Sequence, residues 1–364
     1  MVSKSFFESA VEVAKEKGIS VEDVYEIYKK ALVNYFKKLH GHTSCKAEIN
    51  PNKNEILLYG VYEVVDKIVE DEETEEVEDP IKKITLEDAK QIKANAKIGD
   101  IITQQENLKN PARSGIDALK SVYSQGLRTR QREVAYEHFK SLEDEMIIGT
   151  ITNYNDKVIT LDIGYGVRTT LPMSEKLPND VIENDKTLQV YIKRVEQTSK
   201  EPKVLVSRSD RQLVVRLMEN YIPEIKEGII EIKGIARDPG DRSKIALYST
   251  DPQVDAIGSC VGQGGDRIKS IVDRLGGEKV DLYKWDENPE ELIKNSLQPA
   301  AVTAVLEVNV KEKTSKVVVP DDQLSLAIGK SGQNVRLAVQ SCGWKIDIMP
   351  TSEAFEKGLI LNDN

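Results

Sequence analysis

Apolar positions in residues 1–40 recur every three to four residues, a spacing that predicts two amphipathic helices. Gly18 ends the first helix, and Ser20 begins the second, with Asp23 placed to complete a capping box. The pattern then alternates, which predicts strands in CKAEIN and EILLYGVYEVV around a turn at residues 50–54. The apolar faces of the two helices are formed by Phe6, Phe7, Ala10, Val13 and Ala14, and by Val24, Ile27, Tyr28, Ala31, Leu32 and Tyr35.

The stretch from these strands to residue 144 contains one acidic and one basic segment. EDEETEEVED at residues 70–79 predicts a solvated loop, because carboxylates in series repel one another. ITLEDAKQI follows as a capped helix and IGDIITQQEN as a strand. Residues 109–143 have helical periodicity and predict a linker helix. On it, Arg128, Arg130 and Arg132 form either a solvated face or a partner contact.

Residues 146–208 lose helical periodicity and contain five short alternating runs separated by turn residues. Five strands in about 65 residues predict a small closed barrel of the OB type, although another small β-barrel fits the same pattern. Aromatic side chains on its surface would let such a barrel stack nucleobases. Tyr154 and Tyr165 are the candidates, with Tyr191 further along. The strands are MIIGTITNYN, KVITLDIG, GVRTTLP, TLQVYIKRV and KVLVSR.

A repeated unit occupies residues 209–350. VGQGGDRI at residues 261–268 and IGKSGQNV at residues 328–335 share the pattern apolar-G-x-x-G-x-x-apolar, 67 residues apart. A helix, two strands and a second helix precede each copy, and the helix that follows it ends at a glycine before a short strand. The order helix, strand, strand, helix, helix, strand therefore occurs twice, which is far more specific than a single glycine pair.

The sequence Gly329-Lys330-Ser331 invites comparison with a nucleotide-binding P-loop. A P-loop needs a further glycine five residues earlier, where this chain has Leu324, and it follows a buried strand rather than a helix. A helix end followed by an ordinary turn is one explanation. The other is an anion site, because glycines allow close approach and the next helix turns its N-terminal amides towards a phosphate.

The repeated unit resembles the KH domain, whose GxxG loop clamps the backbone of about four nucleotides. The resemblance implies that both loops bind RNA. Lys330 adds a positive charge only to the second loop, whereas the nearest one to the first is Arg267, offset by Asp266. With Tyr154 and Tyr165 of the barrel, the candidate RNA-binding residues are Gly262, Gln263, Gly264, Gly265, Arg267, Gly329, Lys330, Ser331 and Gly332.

The barrel segment resembles the S-one RNA-binding domain in its opening G-T-I and closing V-S-R, but it has no histidine and few aromatics. Over nearly its whole length the chain resembles the bacterial NusA transcription factors, through IARDPGDRSKIAL, DAIGSCVGQGGDRI, LGGEKVDLYKWDENP and PDDQLSLAIGKSGQNVRLA. The fold class implied is multidomain α+β. It comprises an N-terminal α/β domain with a linker helix, a five-stranded OB-type barrel and two tandem KH domains.

The family resemblance implies an elongation factor that modulates pausing, intrinsic termination and antitermination. Its partners would be RNA polymerase, nascent single-stranded RNA and other antitermination factors. Some relatives carry further acidic repeats, for which residues 352–364 are too short. The expected segments are a polymerase-binding domain at 1–108, the linker helix at 109–144, the barrel at 145–208, KH domains at 209–287 and 288–350, and a short tail at 351–364.

The charge distribution changes the expected strength of RNA binding. The net charge of −10 is unusual for a nucleic-acid binder, but residues 1–108 carry −7 of it and residues 109–144 carry +2. RNA contact must therefore come from local patches and backbone dipoles, with a moderate salt dependence. The chain has no apolar run of about 18 residues and no signal-peptide core, so we expect a cytoplasmic monomer that does not contact a membrane.

The few histidines and cysteines predict neither a metal site nor catalysis. Cys45, Cys260 and Cys342 are widely spaced and fit small buried side chains in a reducing compartment. His40-Gly41-His42 has no third ligand in view. We expect no cofactor, no metal and no enzymatic activity, although some exoribonucleases combine KH and S-one domains. The alternative function is that of a translation- or ribosome-associated RNA-binding protein built from the same modules.

Overall fold

The computed structural model describes residues 3–68, 81–108 and 113–359. The predicted acidic loop at residues 70–79 lies outside the described residues. The chain divides into two compact units, Met1–His138 with Gln197–Pro202, and Phe139–Glu196 with Lys203–Asn364. No helix in the described ranges is both long enough and apolar enough to cross a membrane.

The first unit begins with the two predicted helices, α1 (Ser3–Lys17) and α2 (Val21–His40). The predicted capping box is confirmed. The Ser20 hydroxyl accepts a hydrogen bond from the amide of Asp23 at 3.0 Å, and the Asp23 carboxylate accepts one from the amide of Ser20 at 3.2 Å. The buried side chains between the helices are those of Ala10, Ala14, Ile19, Val24 and Ile27, joined by Leu127.

A four-stranded sheet follows α2. It contains β1 (Cys45–Asn50), β2 (Glu55–Val65), β3 (Lys82–Thr85) and, after α3 (Leu86–Ile92), β4 (Ile101–Gln105). The long strand β2 pairs antiparallel with β1 and β4 and parallel with β3. The predicted strands and the helix α3 are confirmed, whereas β3 was not predicted, since KKIT offers a single large apolar residue to an alternation pattern.

The predicted linker helix is α4 (Arg113–Ser141). Two glycines allow α4 to approach α2 closely in the first unit. A Cβ on Gly115 would lie 2.5 Å from the Tyr35 ring, and one on Gly126 would lie 2.5 Å from Ile27 Cγ2. The Arg130 guanidinium donates to the Asp23 carboxylate at 2.8 Å. Arg130, one of the three arginines of the basic segment, is therefore held in an intramolecular ion pair.

The second unit opens with a nearly closed five-stranded antiparallel barrel, as predicted. Its strands are β5 (Met146–Tyr154), β6 (Val158–Asp162), β7 (Arg168–Pro172), β8 (Thr187–Glu196) and β9 (Lys203–Ser207). They pair in the order β7-β6-β5-β8-β9. The Thr169 hydroxyl donates to the carbonyl of Val204 and links the two end strands. The barrel interior holds Ile151, Ile159, Leu161, Leu171, Val190 and Ile192.

The first repeated unit contains α5 (Arg211–Tyr221), α6 (Pro223–Lys226), β10 (Ile230–Asp238), β11 (Arg242–Ser249), α7 (Ala256–Val261), α8 (Asp266–Arg274) and β12 (Lys279–Lys284). Strand β11 is central, antiparallel to β10 and parallel to β12. Apolar residues of α5, α8 and the inner sheet face form its core. A buried bidentate ion pair, Arg208 with Asp180 at 2.6 and 2.7 Å, joins the barrel to this unit, because Arg208 also donates to the Arg274 carbonyl.

The second repeated unit contains α9 (Pro289–Ser296), β13 (Ala304–Asn309), β14 (Thr314–Val319), α10 (Leu324–Ile328), α11 (Gln333–Cys342) and β15 (Lys345–Pro350). Its sheet repeats the first, with β14 antiparallel to β13 and parallel to β15. The segment predicted as a short tail begins with α12 (Thr351–Glu356), whose Ala354 packs against Val318 and Met349. The predicted helix–strand–strand–helix–helix–strand order is confirmed in both units.

Candidate nucleic-acid interface

Both GxxG sequences form the turn between two helices, in nearly the same conformation. In the first loop, Gly262, Gly264 and Gly265 have φ of 78°, 62° and 81° between α7 and α8. In the second, Gly329, Ser331 and Gly332 have φ of 76°, 53° and 74° between α10 and α11. The element before Gly329 is the helix α10 and not a strand, which agrees with the sequence argument against a P-loop.

The first glycine of each loop has no room for a side chain. A Cβ on Gly329 would lie 2.7 Å from the backbone nitrogen of Asn334, and one on Gly262 would lie 2.8 Å from Arg267 Cγ. The last glycines, Gly265 and Gly332, have no atom within 4 Å of such a Cβ. The first glycine therefore packs the loop against its own helix, and the last leaves open space where a ligand backbone can approach.

The middle pairs of both loops face solvent. Gln263 and Gly264 are exposed, and so are Lys330 and Ser331. The residues that precede α8 and α11 are glycines, which have no side-chain oxygen to cap the first-turn amides. First-turn amides and the positive end of a helix dipole are groups that can bind a phosphate. In α8 the Arg267 amide already donates to Asp266 Oδ1 at 2.8 Å.

The charges around the two loops differ. Arg267 does not extend to its loop, since its guanidinium donates to both oxygens of Glu224 at 3.0 and 2.8 Å and to the Ser259 carbonyl at 2.7 Å. Glu224, Asp255 and Asp266 line the depression beside Gly262. The first loop thus has carboxylates beside it and a neutralised arginine, whereas the second carries the exposed Lys330. Asp238 and Asp241 contact Gln333 beside the second loop, so the difference between the loops is the exposed ammonium of Lys330.

An open groove runs beside the first loop, where the bases of a clamped strand would lie. Its apolar wall comes from α7, α8 and β12, and its far end is formed by residues 298–302. Arg242 and Lys294 line it as well, and the Arg242 guanidinium donates to the Asp281 carboxylate in the same groove at 3.0 Å. The Arg242 Nε is buried without a hydrogen-bond partner among the described residues. The apolar residues of the wall are Ile257, Val261, Ile268, Val280 and Leu282.

Sequence reasoning did not single out Arg242 and Lys294. Each lies about twenty residues or more from a glycine loop along the chain. No sequence pattern indicates that both line one groove, because β11 of the first repeated unit and α9 of the second come together only in the folded protein.

The three barrel tyrosines differ in their exposure to solvent. Tyr154 at the end of β5 is 47% exposed, and Tyr165 in the β6–β7 turn is 43% exposed with its ring against Phe139 at 6.0 Å. Tyr191 is buried, and its hydroxyl donates to the Asp144 carboxylate at 2.5 Å. Tyr154 and Tyr165 are therefore accessible to a nucleobase, and Tyr191 is a packing residue.

His40 and His42 of the N-terminal compact unit make local contacts. His40 Nε2 lies 3.1 Å from the Glu106 carboxylate, and the rings of His40 and His42 are 6.1 Å apart. Burial, together with the charge of Lys82, lowers the pKa of His42. Within the described ranges, no group of three or more histidine, cysteine or acidic residues is arranged to hold a metal ion.

Three family models match the chain. They are the NusA N-terminal domain at residues 5–133, the NusA-like first KH domain at 208–285 and the NusA-like second KH domain at 289–356. The "Transcription termination/antitermination protein NusA" of Halalkalibacterium halodurans is 38% identical over 360 residues, covering 99% of this chain and 91% of the relative. The chain belongs to the NusA family. The resemblance inferred from the motifs is thereby confirmed.

Other NusA proteins extend the comparison. Those of Bacillus subtilis and Thermus thermophilus are 37% and 36% identical, and the matches cover 98% and 95% of this chain and 94% and 89% of the relatives. The solution structure of the N-terminal domain of NusA from B. subtilis covers 36% of this chain and 98% of its own. Its sequence identity is 23%, and its TM-score of 0.25 is too low to establish a shared fold.

The relatives decide between the two functions that the modules allowed. NusA proteins are named for transcription termination and antitermination, which favours the transcriptional prediction over the ribosomal one. NusA is a family of transcription factors with KH RNA-binding domains, and it is not an enzyme family.

Proposed function

We propose that this chain is a transcription elongation factor that binds RNA polymerase and nascent single-stranded RNA, and so modulates pausing, intrinsic termination and antitermination. It acts as a cytoplasmic monomer without enzymatic activity, together with other antitermination factors. The observation that carries the RNA-binding part is the second GxxG loop. Its exposed Lys330 and Ser331 lie at the uncapped N-terminus of α11.

The proposed division of labour follows the segments of the chain. Residues 1–108 bind polymerase, with residues 109–144 as the linker helix. The barrel at 145–208 stacks bases on Tyr154 and Tyr165. The KH units at 209–287 and 288–350 clamp the RNA backbone, and residues 351–364 follow them. Family membership and the two exposed loops support this division.

In each KH unit the phosphate lies over the glycine loop, and at the first loop the bases enter the apolar groove. Gly329 and Gly332 leave the backbone amides of the second loop accessible, whereas beside the first loop the Arg267 amide already donates to Asp266 Oδ1. In the second loop the Lys330 ammonium compensates the phosphate charge. In the first, Gln263 and Gly264 offer only neutral groups, and Arg267 is paired with Glu224. The second loop therefore contributes more of the affinity.

The test replaces Lys330 and Ser331 with aspartate. Two carboxylates at the anion position repel the phosphate, and each offsets the helix dipole by up to about 1 kcal/mol. RNA affinity, measured by fluorescence anisotropy with a labelled single-stranded RNA, should fall by at least tenfold, or about 1.4 kcal/mol. Lys311→Asp, on the exposed β13–β14 turn of the same unit, is the control and should change affinity little.

The fold of the double variant is checked by circular dichroism, since loop-tip side chains contribute little to a packed core. Wild-type affinity in a folded Lys330→Asp/Ser331→Asp protein would mean that this GxxG is a structural turn. Release of nucleotides from labelled RNA by the pure protein would contradict the non-enzymatic assignment.

A further inference from the structure

The two repeated units carry a lysine at the same place in the central strand. Lys244 in RSKIAL of β11 corresponds to Lys316 in TSKVVV of β14. Lys316 remains at the surface, where it pairs with Glu307 at 2.8 Å. Lys244 is only 1% exposed, because the second KH unit packs over this face of the first KH unit. The same strand position therefore has two different environments.

All three N–H donors of the buried Lys244 ammonium are hydrogen-bonded to groups of the second KH unit. Its Nζ donates to the carbonyls of Ser296 and Gln298, both at 2.7 Å, and to Asn334 Oδ1 at 2.8 Å. The three N–H donors of an ammonium meet three acceptors. The two carbonyls lie at the C-terminal end of α9, where the helix dipole favours a cation. The site is built for a charged donor in spite of the cost of burying it.

Burial lowers the pKa of Lys244 to about 8, so the side chain still carries its charge at neutral pH. A buried charge with a complete set of partners is costly to keep and costly to disrupt. Methionine would fill the same volume without either cost. A lysine at this position therefore has its value in the groups that its hydrogen bonds fix, which are the end of α9 and Asn334.

Asn334 links Lys244 to the second glycine loop. It is the second residue of α11, and its Nδ2 donates to the Ala327 carbonyl in α10 and to the Leu297 carbonyl, both at 3.0 Å. Its backbone nitrogen lies 2.7 Å from the place that a Cβ on Gly329 would occupy. One side chain thus joins the helix before the loop, the helix after it and the first KH unit.

A second contact holds the same turn of α11. The Gln333 amide donates to the carboxylates of Asp238 at 3.0 Å and Asp241 at 2.6 Å, in the β10–β11 turn. Arg336 donates to Asp238 at 2.5 Å. The first KH unit therefore contacts the first turns of α11, next to the glycine loop, at two places. The contact made by Lys244 is the buried one.

We propose that Lys244 is a positioning residue for RNA binding by the second KH unit, acting through Asn334 to fix the Gly329–Gly332 loop against the first unit. The inference rests on the proposed function of that loop. It makes the second clamp dependent on the first unit, so that both loops present their amides to one RNA strand in a single arrangement.

The first experiment needs no RNA. In the full-length protein, Lys244→Met is compared with Lys316→Met, the same change at the corresponding position. Nitrogen-15 amide spectra should show the signals of Gly329 and Gly332 shifted in Lys244→Met, with those of Gly264 and Gly265 unmoved, and neither pair shifted in Lys316→Met. Unmoved signals of Gly329 and Gly332 in Lys244→Met would overturn the proposal.

The second experiment measures the affinity for a labelled single-stranded RNA of about 15 nucleotides, long enough for two clamps of about four each. Lys244→Met should bind about tenfold more weakly, because all three hydrogen bonds of the ammonium are lost, among them the one to Asn334 that positions the loop. Lys316→Met should bind as the wild type does. Where Lys244→Met lowers the folded fraction, Lys244→Gln, which keeps an uncharged donor, takes its place.

A double-mutant cycle separates positioning from general destabilisation. Lys244→Met should add little to the loss caused by Lys330→Asp/Ser331→Asp, and should add fully to that caused by Gln263→Asp/Gly264→Asp. Full additivity with the second-loop variant would overturn the proposal. If the second-loop variant alone binds like the wild type, the proposed RNA clamp is wrong, while the amide signals still decide the role of Lys244.

Discussion

At the scale of single residues, the two glycines of the second loop have different tasks. Gly329, with φ 76° and ψ 172°, lies in a region that essentially only glycine adopts, and it packs against Asn334. Gly332, with φ 74° and ψ 16°, is left-handed helical with open space around it. Gly329 is required by both its backbone conformation and its packing, whereas Gly332 is required by its backbone conformation alone.

These environments predict different costs for alanine. Gly332→Ala should lower the free energy of unfolding by about 1 kcal/mol, the cost of a left-handed conformation for a residue with a Cβ. Gly329→Ala should lower it clearly more, because its Cβ also displaces the backbone of α11. Urea titration followed by circular dichroism measures both. Equal losses in the two variants would contradict the assignment.

The sequence predicted which residues form the loops, but it could not predict how their charges are used. Spacing alone identified Gly262–Gly265 and Gly329–Gly332, because the GxxG pattern determines a local turn. Arg267 was predicted as a cation for the first loop, and its pairing with Glu224 depends on a contact 43 residues away in the chain. The sequence could not predict the burial of Lys244 either, since Lys316 follows a serine at the corresponding strand position and is half-buried, paired with Glu307.

At the scale of elements, the β6–β7 turn determines how the barrel presents an aromatic ring. Gly164 and Gly166 flank Tyr165, and all three have positive φ, so the ring is raised to the barrel surface. One side of the ring contacts Phe139, and 43% of the residue is exposed. Tyr154, at the end of β5, is similarly exposed.

Tyr154→Ala and Tyr165→Ala together test whether the barrel stacks bases. RNA binding should weaken by about 1–3 kcal/mol for each stack that is lost. Tyr191→Phe is the matched control, because it removes the buried hydrogen bond to Asp144 and leaves the exposed rings unchanged. Unchanged RNA affinity with a lower melting temperature in the double variant would show that the two tyrosines serve packing only.

Most elements could be predicted because their apolar pattern is regular over six residues or more. The strand β3 failed this condition, and it forms because β2 offers it a parallel edge. The helix α12 lies in the segment predicted as a short tail at residues 351–364. Its Ala354 is buried only where Val318 and Met349 meet it. Short elements of this kind depend on tertiary contacts rather than on their own sequence.

At the scale of the whole molecule, the charge separates the two proposed binding functions. Residues 1–108 carry −7 of the net charge of −10. A fragment of residues 1–135 should therefore capture RNA polymerase in a pull-down, and a fragment of residues 145–364 should bind RNA but little polymerase. The full-length chain, which should do both, is the positive control.

Two results would contradict this division. Equal capture of polymerase by the two fragments would show that its binding is not confined to the N-terminal domain. Recovery of ribosomes in place of polymerase by residues 1–135 would favour the translational alternative. Circular dichroism of each fragment establishes that it is folded before either result is interpreted.

The helix α12 packs on the sheet of the second KH unit. It occupies the same place after β15 that α9 occupies after β12. On the first sheet, Ala246 and Tyr283 are covered by the next unit, and the corresponding Val318 and Met349 are covered by α12. In repeat proteins an end piece of this kind keeps the last apolar face from joining another copy. A chain cut after residue 350 would expose that face, and two such molecules could then associate through it.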